Sequence, residues 1–188
     1  IRHITSESQS GTAIDAVYPH LKHFQGKKLD AMTNLDALTA ASDVIFIALP
    51  HGHAMEVGRK IAGRGVKMID MGADYRFRNP AVYEQWYKHI HSHPDSGAVY
   101  GLTELYRDEL REAAIVANPG CYTTASILAL TPLVKFGLID NRTIVVDAKS
   151  GISGAGRGLG LAYHFSEAYE NVKAYNIGAH RHTPEIEQ

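Results

Sequence analysis

One cysteine and one tryptophan are all that the 188 residues contain of those types, and the scarcity of thiols excludes the most. A single thiol cannot form an internal disulfide, so the fold rests on its core, and the composition suits a reducing, cytoplasmic setting. Charge of one sign is also missing. The formal net charge of −1 excludes the basic surface that nucleic-acid binding requires. No apolar run approaches the roughly 20 residues needed to cross a bilayer, and no secretory leader, internal repeat or low-complexity linker is visible. The chain starts at Ile1 without methionine and stops at Gln188 directly after a motif-like stretch, so it reads as a piece cut at both ends. What is present is a 45% hydrophobic content, enough for a soluble, globular chain of one or two domains.

Strands and helices alternate. Residues 43–49 (DVIFIAL) form a near-continuous apolar run, as a central parallel strand requires. Pro50-His51-Gly52-His53 turns the chain, residues 54–62 carry a helical pattern, and 66–70 form a second strand ending in Met71-Gly72-Ala73-Asp74. Residues 76–96 are rich in aromatics and histidines with little periodicity; the histidines at 89–93 read as solvated loop. A strand over 113–117, a helix over 122–135 and a strand over 143–148 follow. Then come a glycine-dense loop over 150–160, helix around 161–169 and a last strand over 172–175. This alternation predicts an α/β fold with functional loops at the carboxyl ends of parallel strands. The boundary falls near 118–121, giving a partial dinucleotide-binding domain over 1–119 and a partial catalytic and dimerisation domain over 120–188.

Cys121 stands where strand passes to helix, in NPGCYTTASILAL. A lone cysteine is commonly just a small buried hydrophobe, but a structural cysteine has no need of a strand–Pro–Gly–helix setting. A thiol near pKa 8.5 is only a few per cent ionised at neutral pH, and lowering it by roughly 1.5 units, worth about 2 kcal/mol, brings it to about half. The free N–H groups of a helix N-terminus supply such a bias. Gly120 is expected to allow the sharp turn and a close substrate approach.

Three further stretches carry chemistry. In SGISGAGRG (150–158), closely spaced glycines let N–H groups converge on an anion or on a cofactor's amide edge, although a flexible surface loop has the same composition. It lacks the Gly-Lys-Ser/Thr of a Walker loop and the spacing of GxGxxG. In AHRHTPEIEQ, His180 and His182 alternate, so an extended chain would turn their imidazoles to opposite sides, one facing a cleft. In ITSESQSG, hydroxyls such as that of Ser6 suit a 2′-phosphate, Glu7 suits a free 2′-hydroxyl, and an ordinary polar turn suits both. The eleven histidines match no common metal spacing, so no metal is expected.

NPGCYTT, DAKSGISGAGRG and HRHTPEIEQ in this order, with ALPHG and DMGADYRF upstream, closely resemble the N-acetyl-γ-glutamyl-phosphate reductase family of arginine biosynthesis, across essentially the whole chain. The resemblance implies a Rossmann-type NADP domain, whose glycine-rich phosphate loop would lie upstream of Ile1, joined to an α/β catalytic and dimerisation domain. It implies Cys121 as nucleophile and His182 as acid/base. Ser6, Pro50, His51, Gly52, Ser150, Gly151, Ser153 and Gly154 are implied along the cofactor NADP. Arg76, Asn118, Arg157 and Arg181 are the candidates for phosphate and carboxylates of a small-molecule acyl phosphate. Thiolate attack would expel phosphate, NADPH would reduce the thioester, and the aldehyde would depart. A homo-oligomer, dimer or tetramer, is implied, with neither nucleic acid nor membrane as partner. Three readings stay open beside it: the same machinery acting on a carrier-protein-linked glutamyl phosphate in lysine synthesis, a cofactor-free Cys–His hydrolase or acyltransferase, and a non-catalytic nucleotide-binding fragment.

Overall fold

In the computed structural model, which describes residues 1–32 and 35–188, three of the apolar runs become neighbouring strands. β1 (Val44–Ile47), β2 (Lys67–Asp70), β3 (Val99–Tyr100) and β4 (Ile115–Ala117) lie in the order β1-β2-β4-β3. Val44 pairs with Lys67 and Ile47 with Asp70; Met68 pairs with Ile115 and Asp70 with Ala117. All pairings are parallel. Every strand therefore ends at the same edge, where the loops after Ile47, Asp70 and Ala117 open. Helices α1 (Ile14–Val17), α2 (Leu35–Ala40), α3 (Ala54–Ile61), α4 (Pro80–Tyr87) and α5 (Thr103–Glu112) accompany the sheet. These elements make one compact unit, Ile1–Asn118; a second spans Pro119–Gln188.

The core of the first unit follows from residue spacing. α3 buries Ala54, Met55, Val57, Gly58 and Ile61, one stripe of a helical repeat. These pack with Ile47, Met68, Ile115 and Ala117 from the sheet, each large side chain contributing about 1.5–3 kcal/mol. The segment 76–96, which shows little periodicity, holds α4. Asn79 caps it by accepting from Ala81 N at 3.0 Å, and Pro80 sits in its first turn. Tyr83 and Tyr87 stack at 5.1 Å, and with Tyr75 and Phe77 they complete the core. An aromatic face four residues wide replaced the aliphatic periodicity that sequence patterns detect.

One expectation needs correction here. His91 is not solvated: it is buried, with Nε2 2.7 Å from the Asp74 carbonyl, and its ring meets the Tyr83 edge at 5.4 Å. At the amino end, Thr5 forms an isolated bridge to Asp30 just before the serines.

The second unit has helices α6 (Cys121–Lys135), α7 (Phe165–Ala168) and α8 (Thr183–Glu187), with 3₁₀ turns at Asn141–Thr143, Ile152–Ala155 and Leu161–Tyr163. The strands expected over 143–148 and 172–175 do not form. Val145 is 89% exposed and Val172 82%, and a strand without a neighbour leaves its ladder groups unpaired. The helix expected around 161–169 is split, because His164 is extended (φ −65°, ψ 140°). Among the described residues, no helix is long and apolar enough to cross a membrane.

Candidate active site

Cys121 is the first residue of the 15-residue helix α6 and is exposed. The first-turn N–H groups of a helix have no intrahelical acceptor, so the thiol stands at the positive end of the dipole. Gly120 precedes it with φ −67° and ψ 154°, extended backbone open to any residue. Its glycine is required by space instead: a Cβ there would fall 2.5 Å from Nε2 of His182. The imidazole fills the volume that a side chain at 120 would take. That places His182 beside the residue preceding the thiol.

The expected opposition of His180 and His182 is also corrected. Residues 180–183 turn, with Thr183 N donating to the His180 carbonyl at 2.9 Å, and Pro184 sits in the first turn of α8. The two rings therefore lie on one side, 4.9 Å apart. His182 N donates to His180 Nδ1 at 3.2 Å, which leaves Nε2 of a neutral His180 to donate to the Tyr175 hydroxyl at 3.3 Å. Tyr175 in turn donates to the Tyr122 hydroxyl at 3.0 Å. Burial, and then the Arg181 charge, hold the His180 pKa below the ordinary histidine value. Tyr175 is pushed up to about 12 by burial and its bond to Tyr122, with Cys121 adding a smaller effect. Both groups are thereby kept neutral near pH 7.

Glu185 went unread in the sequence. Its carboxylate is fully buried and accepts from Gly120 N at 2.8 Å. One acid inside the short apolar turn PEI was the available signal. It joins α8 to the start of α6, which fixes His182 against Gly120.

The remaining candidates distribute as follows. The loop holding Ser150, Gly151, Ser153 and Gly154 is exposed and held by local bonds, Gly154 N to the Gly151 carbonyl and Gly156 N to the Ser153 carbonyl. Arg157 and Arg181 are exposed. In the first unit, Arg76 is buried and its Nε donates to the Asn118 carbonyl at 2.8 Å, while Asn118 N donates to the Asp70 carbonyl. This guanidinium ties the loop after β2 to the end of β4. Ser6 accepts from Gln9 N at 3.2 Å within its own turn. His51 meets the Tyr87 ring at 4.8 Å, and Gly52 has φ +90° with the His89 ring 3.4 Å from where a Cβ would stand. The second residue missed in the sequence is Asp74. It is buried and accepts from Gly52 N and Ala54 N, so the loop Pro50–Gly52 is held in shape from within.

A nicotinamide dinucleotide fits the first unit in two respects: the strands are parallel, and a glycine-containing loop follows β1 at their carboxyl edge. Gly52 N in that loop and Ala54 N at the start of α3 are already taken by Asp74, so these two amides are not a phosphate cradle.

Two family models match along the chain. Residues 1–113 match a family model described as the semialdehyde dehydrogenase NAD-binding domain, and residues 121–188 match the semialdehyde dehydrogenase dimerisation domain. Relatives named N-acetyl-γ-glutamyl-phosphate reductase are 54% identical in Pelotomaculum thermopropionicum and 54% in Desulforudis audaxviator, each over 98% of this chain and 54% of the relative. One from Moorella thermoacetica is 49% identical over the same shares. The chain thus spans about half the length of the curated relatives it matches. With the NAD-binding model alone covering more than half of its residues, this chain belongs to the semialdehyde dehydrogenase family.

Proposed function

We propose that this chain forms the greater part of the cofactor and nucleophile portions of an N-acetyl-γ-glutamyl-phosphate reductase, working with NADP in a reducing, cytoplasmic setting. The observation that carries the reading is the exposed Cys121 at the start of α6, with the His182 imidazole packed against Gly120. The names of the relatives supply the substrate class.

The Cys121 thiolate attacks the carbonyl of the 5-acyl phosphate, and the carbon–oxygen bond to phosphate breaks as a thioester forms. N–H groups of the first turn of α6 stabilise the oxyanion at that carbon. NADPH, when held by the residue 150–154 loop and Pro50–Gly52, would supply the hydride for the thioester carbon. His182 gives a proton to the oxygen at that carbon and takes it back as the carbon–sulfur bond breaks, so that the semialdehyde leaves and Cys121 returns to thiolate. Arg157 and Arg181 serve the substrate's phosphate and carboxylates, and the residue 150–154 loop and Pro50–Gly52 meet the cofactor. Ser6 serves the adenosine end. Arg76 and Asn118 act by shaping the loops at the sheet edge. The enzyme works as a homo-oligomer.

The test is phosphate-dependent reduction of NADP by N-acetylglutamate 5-semialdehyde with the full-length protein. Cys121→Ser should lower this rate at least about 1,000-fold. Retention of the rate, or acyl cleavage without any nicotinamide, overturns the reading.

A further inference from the structure

Asp74 is fully enclosed, 1% exposed, in a loop that belongs to a different strand from the groups it binds. Oδ1 accepts from Gly52 N at 2.9 Å and from the Tyr83 hydroxyl at 2.8 Å. Oδ2 accepts from Gly52 N at 2.9 Å and from Ala54 N at 3.0 Å. His53, the residue before α3, gives no side-chain cap, and Ala54 is the helix's first residue. The carboxylate therefore does from 20 residues away what a capping side chain does locally. The carbonyl of the same residue is engaged by His91, and Tyr83 is itself stacked on Tyr87. The acid is fixed by a rigid aromatic block, not by the loop it holds.

We propose that Asp74 is the positioning residue of the loop Pro50–Gly52: it sets the loop's shape for the cofactor and, by placing a negative charge at the start of α3, restricts that loop to an uncharged part of the dinucleotide. The inference rests on the reading that this loop meets the cofactor. Its physical basis is twofold. The amides of Gly52 and Ala54, one in the loop and one at the helix start, are committed inward, which fixes Gly52 at its positive φ. A carboxylate at a helix N-terminus also repels a phosphate from the place where phosphates ordinarily bind.

The experiment uses the full-length protein with NADPH as the probe. Hydrogen exchange first establishes whether cofactor protects the amides of Leu49, His51 and His53, which Asp74 does not bind. Absence of added protection there overturns the cofactor-loop reading, and this inference with it. With protection present, Asp74→Asn should raise the Kd and KM for NADPH about tenfold, a loss of about 1.4 kcal/mol, while kcat at saturating NADPH stays within about threefold. Val57→Ala, which loosens α3 from the core without touching the loop, should lower the melting temperature and leave NADPH affinity unchanged. An Asp74→Asn protein that folds and binds NADPH normally overturns the inference. So does a Val57→Ala protein whose affinity falls equally, because general loosening then explains both. Should Asp74→Asn fail to fold, the amides of Gly52 and Ala54 in the unaltered protein decide. Slow exchange before cofactor is added supports the inference, and free exchange overturns it.

Discussion

The two units differ in how they treat their apolar residues. In Ile1–Asn118, Met55, Met68, Tyr83 and Ala117 are at most 1% exposed and belong to one cluster. In Pro119–Gln188, the 15-residue helix α6 buries only Thr123 and Ser126, and Leu133, Val134, Phe136 and Leu138 stay open at 38–72%. The first unit closes its own core. The second carries an apolar surface of the kind an association domain uses, in line with the dimerisation domain its residues match. Core burial is thus concentrated in one stretch of the polypeptide and exposed apolar surface in the other.

Substitutions can break that comparison, and the largest effect belongs to the closed core. Met68→Ala should lower unfolding free energy by about 2–5 kcal/mol, followed by the fluorescence of the single tryptophan, Trp86, in α4. The pH dependence comes next. Burial, with the neighbouring Asp74 adding to it, pushes the Asp70 carboxyl up to about 6. An unfolded aspartate titrates near 4, so the folded first unit holds this proton more tightly. Its contribution is gained as pH falls through 6 toward 4 and lost as pH rises. Between pH 8 and pH 4 the difference is about 2 kcal/mol. Asp70→Asn should remove that part of the slope in denaturant titrations at pH 5 and pH 8; an unchanged slope would show that Asp70 does not titrate there. Asn79→Ala removes the α4 cap and should lower stability by about 1 kcal/mol by the same fluorescence. The smallest effect is expected on α6: Leu133→Ala should change unfolding of this chain by less than about 0.5 kcal/mol. A loss matching that of Met68→Ala would mean that α6 is not an open face.

The parts of this fold legible in sequence are those where one side chain type repeats. β1, β2 and β4 follow from aliphatic runs, since a strand buried on both faces has no polar alternation. α6 follows from Pro119-Gly120 and the apolar spacing after it. α4 does not, because its buried face is tyrosine, and α5 was missed along with β3. The segments 143–148 and 172–175 have strand composition but no neighbour in the second unit, and pairing is a property of partners. At the candidate site, Cys121 and His182 are the residues the sequence singles out, because thiol and imidazole are reactive types in a marked setting. Asp74 and Glu185 were not, because acids are common and only the fold shows where each carboxylate goes. The sequence suggests dihedral freedom as the role of Gly120, whereas the structure gives it to the space of an imidazole.

Both acids also tie a helix start to a distant stretch of chain. α3 and α6 each begin at a residue whose local sequence offers no side-chain cap, and each receives a carboxylate from 20 or 65 residues away. Closing the longer of those loops is harder by only about 1 kcal/mol. A chain shortened before Glu185 would therefore keep the thiol and lose the contact that anchors the backbone just ahead of it.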